Sequence, residues 1–337
     1  MRAPEFWRRD GGRLAPRLLA PFSAAFHLAA RLRKSTTKPW RAPVPVICVG
    51  NLTVGGAGKT PTVLALADRL QAQGLRVGCL SRGYGGQLRG PVQVDPQRHT
   101  AADVGDEPLL LAATAPTWIA RDRKDGARVA IAEGVDVVVL DDGLQNPALV
   151  HDIALVVVDA GYGFGNGRLL PAGPLREPVA AGLARASAVV LIGDDRDRLA
   201  AALQGRVPEV LTARLVPDDA ALRLKGRKVL AFAGIGRPAK FFATLAELGA
   251  EVVETVPFAD HHAYTPDEAM RLVEAAQKQG AVPVTTAKDF VRLPEGAARM
   301  VTALRVHLRF DRPDALGRVL DPALRGGATA ASENKRG

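Results

Sequence analysis

At 337 residues, with 47% hydrophobic and 24% charged side chains, the chain has the length of two domains and an ordinary globular composition, which excludes a disordered or fibrous protein. Two cysteines without a CxxC pair exclude a disulfide scaffold and fit a reducing cytoplasm, and the six histidines show no zinc-ligand spacing. The net charge of +10 is local: residues 1–41 carry ten Lys/Arg against Glu5 and Asp10, so +8 falls there and only +2 on the other 296 residues.

That basic arm suits an anionic surface, either membrane or nucleic acid. Within it Leu14, Leu18, Phe22 and Phe26 recur at every fourth position, and Leu19, Leu28 and Leu32 widen the stripe. The spacing predicts a basic amphipathic helix over 13–33, suited to a membrane interface or to packing on the protein's own body. It is too short to span a bilayer. The apolar run Leu18 to Ala30 would rise about 20 Å, against roughly 30 Å of hydrocarbon. An Arg-rich start before a short apolar run also resembles a secretory signal, but a nucleotide loop so soon afterwards argues against export.

That loop is the most specific stretch of the chain. Pro45 to Gly50 reads as a buried strand, and a helix carrying Val63, Leu64, Leu66, Ala67 and Leu70 follows Pro61. Between them, a glycine-rich segment ending in Gly-Lys-Thr has the layout of a phosphate-binding loop, in which backbone N–H groups and a helix N-terminus converge on a polyphosphate. Thr53, Val54, Gly55, Gly56, Ala57, Gly58, Lys59 and Thr60 would wrap a nucleotide, with Lys59 at the β/γ-phosphates and Thr60 on Mg²⁺. Thr53 stands where the usual pattern has its first glycine, so Gly55 and Gly56 must supply the backbone freedom.

Further along, Leu75–Leu80 reads as a second strand, followed by the polar, glycine-punctuated Ser81–Gly86. Asp106, in Gly105-Asp106-Glu107-Pro108, opens a helix and by itself reads as an ordinary first-turn acid. Val135–Leu140 is an apolar strand ending in Asp141-Asp142; such an acid approaches the Mg²⁺ held by the loop threonine, and strand alternation leaves one of the two as the main ligand. Ile153–Val158 ends likewise in Asp159, a rival metal carboxylate, and Val189–Gly193 adds another strand. Strands and helical segments repeating over 44–195 predict a parallel sheet covered on both faces. The Gly/Pro-rich stretch 163–177 reads as a shaped functional loop, with Arg176 as a candidate phosphate contact.

A second unit begins near Lys228. Gly234-Ile235-Gly236-Arg237-Pro238-Ala239 mimics a dinucleotide fingerprint, with Glu254 at a ribose-like distance, although Pro238 and the stronger loop upstream favour a packing role. His261-His262 suits a surface turn as well as a site, and Thr286 to Asp289 misses a guanine-reading motif by one place.

Taken in order, these pieces resemble the tetraacyldisaccharide 4′-kinases over roughly residues 10–315. The resemblance rests on Gly50-Asn51 with Gly55-Gly56-Ala57-Gly58-Lys59-Thr60-Pro61, Ser81-Arg82-Gly83-Tyr84-Gly85, Gly105-Asp106-Glu107-Pro108, Asp141-Asp142-Gly143-Leu144-Gln145 and Leu170-Pro171-Ala172-Gly173-Pro174-Leu175-Arg176-Glu177. Asp260-His261 and Thr286-Ala287-Lys288-Asp289 complete it. Where the family has Phe and His around the glutamine, this chain has Leu144 and Asn146.

The resemblance implies an ATP- and Mg²⁺-dependent kinase acting on the 4′-hydroxyl of an acylated disaccharide lipid, peripheral to the cytoplasmic face of the bacterial inner membrane, with no nucleic-acid partner. It implies an α/β fold: a P-loop core with a mostly parallel sheet and helices on both faces, a smaller C-terminal α/β domain and an N-terminal membrane-associating helix. The expected boundaries are 1–41 for the basic segment, 42–222 for the core, 223–325 for the smaller domain and 326–337 for a disordered tail. Asp106 would act as base with His261 assisting, and Lys59 completes the catalytic set. Asp141, Asp142 and Thr60 would serve Mg²⁺, while Tyr84, Gln145, Arg176 and Glu177 would line the site. The competing class is a nucleotide-dependent switch or partitioning ATPase, whose loops carry a lysine where this chain has Val54. A nicotinamide oxidoreductase using Gly234 and Gly236 is a third.

Overall fold

The computed structural model describes residues 4–333. Runs of Val, Ile and Leu without polar alternation form strands buried on both faces, as a parallel sheet between helical layers requires. Such strands are β1 (Val46–Gly50), β2 (Val77–Ser81), β5 (Val137–Asp141), β6 (Ile153–Asp159) and β7 (Ala188–Ile192). With β3 (Val92–Gln93), β4 (Thr117–Ile119), β8 (Val210–Pro217) and β13 (Val306–Phe310) they make a nine-stranded sheet ordered β13-β8-β7-β6-β1-β5-β2-β4-β3. The pairings from β8 to β4 are parallel, and the two edge strands β13 and β3 are antiparallel.

Alternation along each strand divides the core in two. Ile47, Val49, Val137 and Val139 point to one face, under the helices Lys59–Ala72 and Pro313–Glu333. Val46, Cys48, Val138 and Leu140 point to the other, under the helices Arg123–Ala132 and Arg196–Leu203. β9 (Lys228–Ala233), β10 (Glu251–Pro257), β11 (Val282–Thr286) and β12 (Thr302–Leu304) form a second, parallel sheet ordered β10-β9-β11-β12, with its own apolar clusters on its two faces.

Three expectations need correction. The second unit does not run to residue 325: after Leu304 the chain returns to the large sheet as β13, and the following helix seats Ala315, Leu316 and Leu320 in the first core. The tail expected to be disordered from Gly326 continues that helix to Glu333, and residues 334–337 lie outside the described residues. The basic helix over 13–33 is two helices, Leu14–Leu18 and Ala20–Thr36, with Leu19 between them and Pro21 in the first turn of the second, where its missing N–H is tolerated. No helix among the described residues is long and apolar enough to cross a membrane.

Candidate active site

Parallel strands bring their C-terminal ends to one edge, where α/β sheets place their ligands. Here that edge gathers Gly50 from β1, Ser81 from β2, Asp141 from β5 and Asp159 from β6. The loop from β1 passes directly into the helix Lys59–Ala72. Gly58 turns it with φ +95°, a conformation that favours glycine, and a Cβ there would also press on the Ile192 Cδ1 methyl at 2.6 Å. Asn51, fully buried, braces the loop from within: its Nδ2 donates to the Gly55 carbonyl (3.3 Å) and its Oδ1 accepts from Lys59 Nζ (3.4 Å). Thr60 is buried at the helix start and Val54 is exposed at the loop's rim.

The two consecutive aspartates are divided by the backbone. Asp141 ends β5 and is buried; Asp142 turns out of the strand with φ +59°. Burial would raise the Asp142 carboxyl, but Lys59 (3.6 Å) and Arg176, whose Nη1 donates to both oxygens (2.8 and 2.9 Å), outweigh it and hold the group below the usual carboxylate range. Asp141 is the converse. Its burial, opposed by Lys59 and reinforced by Asp142, pushes the carboxyl up to about 7. Its Oδ1 is buried without a hydrogen-bond partner. An orphaned carboxylate oxygen at the strand end beside a loop with a buried threonine hydroxyl fits the oxygen-donor chemistry of Mg²⁺.

Arg176 and Glu177 arrive from the Gly/Pro-rich loop, whose Leu175 pairs with Thr53 and Leu169. Gln145 links them: its Nε2 donates to Asn51 O and to Glu177 Oε1 (both 3.0 Å), and its Oε1 accepts from Arg176 (3.4 Å). Arg185 fixes Glu177 from behind at 2.8 Å. Leu144 is packed against Gly50, where a Cβ would meet the Leu144 Cβ at 2.5 Å, and the Asn146 side chain closes a turn onto the Ala148 amide.

Across the edge, the second unit delivers its own residues. His261 Nδ1 meets Asp106 Oδ2 at 3.0 Å and Oδ1 at 3.3 Å. Asp106 is 3% exposed at the start of the helix Asp106–Ala112, so it is no solvated first-turn acid. Burial works to raise its carboxyl, yet the hydrogen bond and charge of His261, with Lys288 and Arg292, carry it below the ordinary value. The same hydrogen bond raises the His261 imidazole against its burial. Lys288 closes an ion pair with Glu107 beside them, and Arg292 Nε lies 3.4 Å from Asp106 Oδ2. Tyr84, 68% exposed, places its ring edge-on to His261 at 5.8 Å.

The structure thus brings Lys59, Asp142, Gln145, Arg176 and Glu177 into one network and Asp106, His261 and Tyr84 into an adjoining one. Asp159, the rival metal carboxylate, is instead engaged by Arg237 and Lys240. The first of the dinucleotide-like glycines serves packing: Gly234 donates its N–H to Asp289 (2.7 Å), and a Cβ there would lie 2.8 Å from Ala259 O. Glu254 accepts from Gln279. Arg292 and Arg185 escaped the sequence reading. Arg292 follows Asp289 by one helical turn, the one trace of the pairing that a sequence carries.

A phosphate loop, acidic strand ends at its edge and a carboxylate–imidazole pair supplied across two sheets define a phosphotransferase of the P-loop class. A family model described as tetraacyldisaccharide-1-P 4′-kinase matches residues 15–325. The tetraacyldisaccharide 4′-kinase of Rhodospirillum centenum is 58% identical over 330 residues, covering 97% of this chain and 98% of its own; that of Rhodospirillum rubrum is 54% identical over 330 residues, covering 97% and 99%. The crystal structure of LpxK from Aquifex aeolicus in complex with ATP matches with a TM-score of 0.73 at 30% identity, covering 92% of this chain and 100% of its own. The chain belongs to the tetraacyldisaccharide 4′-kinase family.

Proposed function

We propose that the protein transfers the γ-phosphate of ATP to the 4′-hydroxyl of a tetraacyldisaccharide 1-phosphate at the cytoplasmic face of the inner membrane. The observation that carries the reading is the contact between Asp106 and His261, because it joins a buried carboxylate of the P-loop unit to an imidazole of the other unit. The amides of Val54 to Thr60 hold the polyphosphate, and Lys59 neutralises charge between its terminal groups. Thr60 and Asp141 would hold Mg²⁺, with Asp142 following in the chain and poised by Lys59 and Arg176. Bound there, Mg²⁺ supplies charge neutralisation at the phosphoryl oxygens.

Asp106 accepts the proton of the sugar hydroxyl, and His261, hydrogen-bonded through Nδ1, orients it and takes up the proton. Gln145, Arg176, Glu177 and Tyr84 line the space between loop and dyad. Incubating the protein with γ-labelled ATP, Mg²⁺ and the acylated disaccharide in detergent is expected to label the 4′-position, and Lys59→Ala to abolish labelling. Full turnover by Lys59→Ala would remove the loop from the reaction.

The amphipathic segment supports attachment to an anionic membrane surface and not to nucleic acid. Leu14, Leu18, Phe22 and Leu28 are each more than half exposed, while Ser23 on the opposite side is buried and bonds Leu169 O (2.9 Å). An apolar row flanked by arginines and left outside the core is what an interfacial helix presents to lipid.

A further inference from the structure

The turn Gly234–Pro238 has no part in the reaction as derived, yet its Arg237 crosses from the second unit to the phosphate loop. Nη2 donates to the Gly56 carbonyl at 3.1 Å and to Asp159 Oδ2 at 2.5 Å. The guanidinium lies 5.8 Å from the centre of the Tyr162 ring. Both bonds use the same nitrogen, so Nη1 and Nε have no protein partner among the described residues. Lys240 Nζ stands 3.7 Å from the same Asp159 oxygen. Two cations therefore share one carboxylate, and the loop keeps net positive charge next to Gly56.

Elsewhere the loop offers less. Lys59 faces Asn51 and Asp142, Arg176 is committed to both oxygens of Asp142, and Val54 brings no charge. A triphosphate carries several negative charges, and without a further cation most of them would fall to one ammonium and a metal ion.

We propose that Arg237 is a substrate-contacting residue: the free Nη1 amino group of its guanidinium binds the terminal end of the triphosphate held by the loop. This rests on the phosphotransferase reading above. Nη1 brings two N–H donors and delocalised positive charge to a phosphoryl oxygen, and the anchor of Nη2 on Gly56 and Asp159 holds the group in place before the nucleotide arrives. Because Arg237 is about half exposed, its replacement leaves both cores intact.

Calorimetric titration of MgATP and MgADP into the wild type, Arg237→Ala and Arg237→Lys tests this without turnover. Arg237→Ala is expected to weaken MgATP binding by roughly ten-fold or more, the scale of a lost charged hydrogen bond. MgADP should lose distinctly less, and Arg237→Lys should recover part of the ATP affinity as a point charge. MgATP affinity within two-fold of wild type in Arg237→Ala would overturn the proposal. So would equal losses for ATP and ADP with a lowered unliganded melting temperature, which would make Arg237 a strut between the units. A wild type that binds MgATP but transfers nothing to the acylated disaccharide would overturn the reaction assigned above, and the ATP/ADP comparison would still decide the role of Arg237.

Discussion

Asp106 and His261 lie within hydrogen-bond distance, and the direction of both shifts fixes how turnover should respond to pH. His261 is raised above the ordinary imidazole value of 6.5, first by its hydrogen bond to Asp106, while Asp106 is carried below 3.8 despite burial. Between those values the pair is imidazolium and carboxylate, and the imidazolium weakens the carboxylate as a base. In the mechanism proposed above, the pair accepts the hydroxyl proton well only once His261 has released its own. The acid limb of kcat/KM should therefore lie above 6.5, rising through the raised His261 value. His261→Ala should lower the plateau by about 10²–10⁴-fold, the usual worth of general acid–base catalysis, and move the limb down toward the carboxylate range. A pH–rate profile of the variant with its limb unmoved would show that the limb belongs to another group.

At the scale of elements, the N-terminal helices do two things with opposite faces. Ser23 and, before them, Phe6 and Trp7 hold the Gly/Pro-rich loop: Ser23 Oγ donates to Leu169 O, Asn166 Nδ2 donates to Phe6 O (2.8 Å), and Trp7 Nε1 donates to Pro171 O (3.0 Å). Deleting the arm would thus disturb the loop that carries Arg176, and cannot test membrane attachment cleanly. Leu18→Ser with Phe22→Ser removes only exposed apolar surface, from side chains 69% and 65% exposed. This pair should shift the protein from anionic vesicles to the supernatant in a sedimentation assay, with activity on detergent-dispersed lipid retained; unchanged sedimentation would refute the interfacial role. The stripe itself was legible in the sequence, because period-four hydrophobicity registers in any chain. Its bonds to a loop about 150 residues away were not, since a serine in a helix carries no mark of its partner. The phosphate loop and the strand ending in Asp141 were legible for a related reason: local composition dictates a buried strand and a tight turn. The meeting of Asp106 with His261 came only from resemblance to a family, because side chains on separate sheets share no periodicity.

The whole molecule explains why a two-domain reading by sequence order misplaced one boundary. The smaller sheet is an insertion in space: the chain leaves the nine-stranded sheet after β8, builds β9 to β12, and returns as β13, antiparallel to β8. A composition-based reading sees a second α/β segment and runs it to the end, because nothing in Val306–Phe310 says which sheet it joins. The consequence is energetic. The returning helix places Leu316 and Leu320, each 1% exposed, against the face of the first core that also holds Val63, Leu66 and Leu70 of the phosphate-loop helix. Each leucine-to-alanine change there should cost about 2–5 kcal/mol. A chain ending before Pro313 keeps every residue of the loop and of the Asp106–His261 pair, yet uncovers that face of the sheet. It should lose cooperative thermal unfolding and MgATP affinity together. If the truncated chain unfolded at the wild-type temperature and bound MgATP as tightly, the last helix would be an appendage and not the cover of the nucleotide-binding core.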